Sequence, residues 1–226
     1  KHRELSDSQQ ALDRDACLAL EPSLLRIAER IAGGIHTANE EAGDCYKLCQ
    51  ELAERLARGP SPVCFRLGEA ASGFEVAGGG VRAVITSGGP IRGDACVIAG
   101  GAEVGRLLAP LGIRVPVYPL KGYSISLPIN DPAGVPEASI TDYQRKIVYA
   151  RLGNRLRVAG MADIVGFGEG LNSTRIDTLL RATRETFGAG VDLSAVTPWA
   201  GLRPATPTGR PVVDRSPIPN LLLNIG

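Results

Sequence analysis

Apolar residues recur at helical spacing in two early stretches. After a polar segment over residues 1–23, Leu24, Leu25, Ile27, Ala28 and Ile31 predict a short helix. It is introduced by Glu21-Pro22-Ser23 and ends at Gly33-Gly34. Behind Asp44, a residue able to cap, Cys45, Leu48, Cys49, Leu52 and Leu56 repeat at i, i+3/i+4 until Gly59-Pro60 stops them. The period then changes. Residues 63–67 predict a strand, and 74–76 and 81–85 flank Gly78-Gly79-Gly80 as a hairpin, with a turn over 88–90. Residues 95–99 are apolar without alternation, the pattern of a strand covered on both faces. They run through Gly100-Gly101 into a short helix over 102–109 that stops at Pro110.

Past Pro116 the pattern alternates, as in an antiparallel sheet with one wet face. Strands are predicted over 117–127 and 146–152, and a third over 155–159 follows across Gly153-Asn154, a hairpin signal. Residues 174–187 predict a helix with Ile176, Leu179, Leu180, Thr183 and Phe187 on one stripe. Thr174 with Asp177 fits a capping box and Gly188 fits the stop. The tail from 197 to 226 reads as rich in loops, with Leu221-Leu222-Leu223 near its end. The expected class is α+β: an α/β part to about 115, then an antiparallel sheet with a helix.

Composition narrows the function classes. With 226 residues, 25 Lys+Arg against 24 Asp+Glu and a net charge of +1, the chain has no electrostatic footprint for nucleic acid or an anionic membrane. No apolar run approaches the roughly 20 residues of a membrane-spanning helix. The 28 glycines and 16 prolines lie between apolar runs, so they indicate turns rather than disorder. Five cysteines at irregular spacing argue for a reducing compartment over a disulfide framework. Cys45 and Cys49 share a helix face. With only His2 and His36 as imidazoles, neither at a recognised ligand spacing, two small buried side chains are expected rather than half a metal site. The chain begins at Lys1 and its one methionine is Met161, which suggests trimming or a piece of a longer protein.

Hydrolase and phosphate-loop chemistry are not indicated. Neither histidine lies near a nucleophile motif, and Gly-x-Ser-x-Gly and Gly-Lys-Ser/Thr are both lacking. Gly166-Phe167-Gly168-Glu169-Gly170 imitates a dinucleotide fingerprint, but its third glycine would fall on Leu171 and its setting is antiparallel, so a loop is expected. Two features carry more. The strand, Gly100-Gly101 and helix over 97–108 would let a ligand approach the backbone, with a helix N-terminus favouring phosphate. Arg203, among the prolines and glycines of 199–211, offers a planar fork for a carboxylate. Composition alone would make it a surface arginine in a rigid loop.

Gly201-Leu202-Arg203-Pro204 followed by Thr206-Pro207-x-Gly209-x-Pro211 resembles the C-terminal signature of flavin-dependent amino-acid oxidoreductases of the D-amino-acid oxidase superfamily. Other stretches resemble one branch, the D-amino-acid dehydrogenase small subunit. They are Glu21-Pro22, Ala32-Gly33-Gly34-Ile35, Gly43-Asp44-Cys45, Val115-Pro116 through Ile125 with Pro119-Leu120-Lys121-Gly122-Tyr123-Ser124, Arg151-Leu152-Gly153-x-Arg155, and Val158 to Ala162. Asp214 departs from the branch, where glycine is common. The family's Gly-x-Gly-x-x-Gly lies ahead of everything in this sequence, so the resemblance implies an internal fragment, inactive without that segment.

The resemblance implies a partial FAD-binding α/β domain interleaved with an antiparallel substrate domain. Residues 1–40 and 116–196 would build the substrate domain, and 41–115 and 197–226 the FAD domain. It also implies FAD as cofactor, a D-amino acid as substrate, hydride transfer to the flavin, and a quinone or electron-transfer chain as acceptor. The implied compartment is cytoplasmic, peripheral attachment to the inner membrane being left open. Arg203 would hold the substrate carboxylate. Tyr143 would assist it, with Tyr123 and Tyr149 competing for that role. Ala71, Gly100, Gly101, Gly201 and Leu202 would meet the cofactor, and no metal is implied. A related glycine or sarcosine oxidase and a cofactor-free module are the alternatives.

Overall fold

The computed structural model describes residues 8–168 and 170–226; His2 and Glu169 lie outside the described residues. The polar first segment holds more than expected. β1 (Gln9–Leu12) leads into α1 (Arg14–Leu20), whose first turn is capped by Asp13 Oδ1 accepting the Ala16 N–H at 2.8 Å. The helix expected over 24–31 is instead 3-10 turns, Pro22–Arg30, broken at Ile27. β2 (Gly34–Thr37) then pairs antiparallel with β1, a pairing invisible to local periodicity. α2 (Cys45–Arg58) forms where expected, with Asp44 Oδ1 accepting from the Tyr46 and Lys47 N–H groups. Its stripe is not buried: Leu48, Leu52 and Leu56 are exposed, as are Cys45 and Cys49, correcting the expectation of buried thiols. The period of a helix tells which side is apolar and not what covers it.

Residues 63–67 form no strand; Val63, Phe65 and Leu67 are exposed, and no strand among the described residues pairs with them. β3 (Ala71–Ala77), β4 (Gly80–Thr86) and β5 (Gly89–Ile91) make an antiparallel meander. Its first turn needs positive φ at Gly78 and Gly79. β6 (Cys96–Ile98) is the apolar strand, but only one face is covered: Ile98 is buried while Val97 is 59% exposed. α3 (Val104–Leu108) is a five-residue helix between 3-10 turns.

β7 (Tyr118–Pro128), β8 (Ile140–Asp142), β9 (Ile147–Leu152) and β10 (Arg155–Asp163) follow. α4 (Ser173–Phe187) is capped by Asn172 rather than Thr174, because the Asn172 carboxamide accepts the Arg175 N–H. Gly188, with φ of 53°, ends it. The tail is not loop: β11 (Thr197–Ala205), β12 (Val212–Arg215) and β13 (Leu221–Ile225) are strands. Pro198 and Pro204 disguised β11. A proline cannot donate to a ladder, and β11 tolerates two because it is the edge of a sheet ordered β11-β7-β10-β9-β8. β13 pairs parallel with β6 and antiparallel with β12. β6 and β7 therefore lie in different sheets, and the class is α+β.

The chain divides into two units. The first takes the chain up to Gln50, Gly122–Ala162 and Glu169–Ala200; the second takes Glu51–Lys121, Asp163–Gly168 and Gly201–Gly226. Four of the five borders fall inside α2, β7, β10 and β11, and the fifth lies in the loop after β10. The first unit's core joins Tyr123, Ile125, Leu127, Ile147, Tyr149, Leu156, Val158, Leu179 and Phe187. The second unit's core joins Val81, Ile98, Val104, Leu108, Leu221, Leu223 and Ile225.

Candidate active site

Arg203 stands exposed on β11, in the second unit. A strand holds its Cα more firmly than the rigid loop expected from composition. The chain beyond it is also fixed. Gly209 N–H donates to the Thr206 carbonyl at 3.1 Å, and Thr206 Oγ1 donates to the Arg210 carbonyl at 2.8 Å. Gly209 takes φ of 72° there. The Thr206-Pro207-x-Gly209 stretch is thus the turn between β11 and β12.

Gly100-Gly101 follows the C-terminal end of β6. Gly101 has φ of 59°, and a Cβ there would meet nothing within 4 Å; one at Gly100 would reach only Val104, at 4.0 Å. The backbone is open to close approach, which fits a flat or phosphate-bearing cofactor. The five-residue α3 contributes little dipole, so the expected helix N-terminus for phosphate is weak. Ala71 opens β3 on the outer edge of its meander. Ala71, Gly100, Gly101, Gly201, Leu202 and Arg203 all belong to the second unit.

Tyr143 belongs to the first unit and lies in the turn between β8 and β9. Its ring is 75% exposed, with the Lys146 ammonium 5.5 Å from the centroid. The two competing tyrosines are core residues. Tyr123 is buried, and Tyr149 packs edge-on to Phe187 at 5.1 Å, where burial pushes its phenol pKa up. Of the three, Tyr143 alone is exposed.

Other matched stretches have structural work. Glu21 is buried; its Oε2 accepts the N–H groups of Glu137 (2.9 Å) and Ala138 (3.2 Å), and its Oε1 accepts from Ser23 Oγ at 2.7 Å. Gly166-Phe167-Gly168 is a loop after β10, as expected of a false fingerprint. Sequence reading gave no role to Lys121, which is 4% exposed and donates to the Gly168 carbonyl at 2.7 Å. A lysine inside an apolar strand was the available signal. Trp199 was noted only as part of its motif, and the Arg157 guanidinium lies 5.4 Å from its ring. Among the described residues no cluster of three or more His, Cys, Asp or Glu could hold a metal, and no helix is long and apolar enough to cross a membrane.

The model of the FAD dependent oxidoreductase family, DAO, matches residues 1–226. The chain is 47% identical over 220 residues to D-amino acid dehydrogenase 2 of Pseudomonas aeruginosa, covering 97% of this chain and 52% of that protein. It is 46% identical over 215 residues to D-amino acid dehydrogenase of Cereibacter sphaeroides, covering 95% and 49%. Among solved structures, glycine oxidase from Geobacillus kaustophilus matches with a TM-score of 0.83 at 24% identity, covering 96% of this chain and 57% of that one. L-proline dehydrogenase from P. horikoshii matches with a TM-score of 0.82 at 13% identity, covering 96% and 59%. At such identities the likeness is one of fold. The chain spans about half the length of the curated relatives it matches.

Proposed function

The chain belongs to the family of FAD-dependent oxidoreductases of the DAO type, and on that premise we propose that the protein carrying it oxidises D-amino acids. The relatives at 46 and 47% identity, both D-amino acid dehydrogenases, support the substrate class. The observation that carries the reading is Arg203 fixed on β11, in the same unit as the open Gly100-Gly101 turn. Arg203 would grip the α-carboxylate with two parallel N–H bonds, which fixes the orientation of the α-carbon as well as the charge. The backbone at Ala71, Gly100-Gly101 and Gly201-Leu202 would hold FAD, which when bound accepts the α-hydrogen as hydride. The substrate thereby becomes an imino acid, which water hydrolyses to a 2-oxo acid and ammonia. A neutral amine loses its hydride without a dedicated protein base, which suits a site built around an arginine.

A quinone or an electron-transfer chain is the acceptor in this reading, and the cytoplasm its compartment. The odd number and irregular spacing of the five cysteines support a reducing environment. Anaerobic dye reduction by the enzyme at the full length of its relatives tests the assignment. D-amino acids should be turned over at least 100-fold faster than their L-enantiomers, with ubiquinone accepting electrons. Preference for the L-enantiomer would overturn the substrate class, and preference for glycine or sarcosine with hydrogen peroxide formed in stoichiometric yield in air would replace the assignment with an oxidase.

A further inference from the structure

Three apolar features of the second unit have no cover. The first is the stripe of α2, the helix on whose second half that unit opens. Leu52 and Leu56 are exposed, as are Leu48 and Cys49 one turn earlier. A helix of 14 residues is marginal alone in water and depends on packing its apolar face, yet no residue of α2 is buried. The second feature follows directly. Val63, Phe65 and Leu67 alternate with Cys64 and Arg66 as in a strand, and all three are exposed. The Val63 N–H donates to the Leu56 carbonyl at 2.9 Å, which ties this segment to the end of the stripe.

The third feature is β6. It ends the sheet ordered β12-β13-β6, and among the described residues no strand pairs with its other edge. Its partner β13 runs parallel to it. Parallel strands occur almost only in sheets covered on both faces, and an open edge is a template for a further strand. The register tells which atoms are free to pair. The Cys96 N–H donates to the carbonyl of Asn220, next to β13, at 2.8 Å. Alternate residues of a parallel ladder turn their backbone groups to the same side, so Ile98 also faces β13. The Val97 N–H and carbonyl therefore point to the open edge, and the Val97 side chain is exposed beside them.

We propose that these features form one docking surface for the rest of the protein's own chain. The relatives are about twice as long as the 226 residues, so as much chain again is available to cover them. That part supplies a strand that pairs with β6 at Val97 and an apolar layer against Leu48, Leu52, Leu56, Val63 and Phe65. A second copy of the chain fits less well. Two β6 edges meeting across a two-fold axis pair antiparallel, against the parallel order that β6 and β13 begin. The docking surface does not depend on the substrate, so it can fail while the proposed function stands.

Two readouts on the protein at the full length of its relatives test this, and neither needs a variant or measures oxidation. The Val97 amide should exchange roughly 100-fold or more slower than in the urea-unfolded protein, because a strand accepts it. Cys49 should react with iodoacetamide roughly 100-fold or more slower in the native protein than in urea, because the stripe is covered. Both protections should survive a roughly 100-fold dilution, since the cover is intramolecular. A smaller slowing at either group would overturn the docking surface. Protection lost on dilution would assign the cover to a second copy and overturn it equally.

Discussion

Asn220 does in one side chain what a strand does with its backbone. Its Oδ1 accepts the Val81 N–H at 2.8 Å, and its Nδ2 donates to the Val81 carbonyl at 2.8 Å and to the Asp94 carbonyl at 3.3 Å. Its own carbonyl accepts the Cys96 N–H at 2.8 Å. The side chain therefore joins β4 to the paired β6 and β13. Val81 is buried, so Asn220→Ala strands one donor and one acceptor away from bulk water. Each such group costs about 1–3 kcal/mol, giving roughly 2–6 kcal/mol in all. A cavity of about 220 Å³ beside Val81 and Asn220 can admit water, which places the expected loss at the lower end, about 2–3 kcal/mol. Asn220→Asp should lose about as much, because it keeps the acceptor for Val81 N–H but sets a charge against the Val81 carbonyl. Urea unfolding followed by circular dichroism measures the loss, and hydrogen exchange along β4 locates it. A change within about 0.5 kcal/mol for Asn220→Ala, or faster exchange in β9 and β10 but not β4, would refute the reasoning.

Gly160→Ala should destabilise the first unit by about 1–3 kcal/mol in thermal unfolding, because the new methyl meets backbone at the Lys146 carbonyl and the Ile147 side chain; a neutral result would mean the two strands part easily. The Glu185 carboxyl is held below its ordinary value first by its hydrogen bond from Arg145, then by the charges of Arg145 and Arg30. A lowered carboxylate adds stability above the ordinary glutamate range and loses it as pH falls through the lowered value. Glu185→Gln should therefore lower the melting temperature at pH 7 and make no difference well below pH 4; equal differences at both would exclude the linkage. The 226-residue chain mixed with FAD should leave gel filtration colourless, since it spans about half of its relatives; stoichiometric yellow protein would show that the described backbone suffices.

What could be read from the sequence was local. Asp44 and the stripe behind it located α2, and glycines located the β3–β4 and β9–β10 turns. Pairing between distant segments could not be read. β1 and β2 find each other across α1, and the prolines of β11 signalled a loop because nothing local says that a strand lies at an edge. Coverage was equally hidden. The stripes of α2 and β6 are apolar as expected, yet Leu48, Leu52 and Val97 are exposed, because neighbours decide burial. At the site, Arg203 stood out for its stiff surroundings. Lys121 did not, although a lysine inside an apolar strand was a signal that pattern reading could have followed.

The carboxylate grip of Arg203 is the centre of the proposed function. Steady-state kinetics of the full-length enzyme on a D-amino acid and on its amide test it most directly. Arg203→Ala should lose roughly 2–5 kcal/mol, about 30- to 5000-fold in kcat/KM, on the acid and far less on the amide. Arg203→Lys should recover only part, for want of the planar fork, and flavin content should stay near that of the parent. If the parent enzyme oxidises the amide as readily as the acid, or Arg203→Ala lowers both equally, Arg203 does not bind the substrate carboxylate.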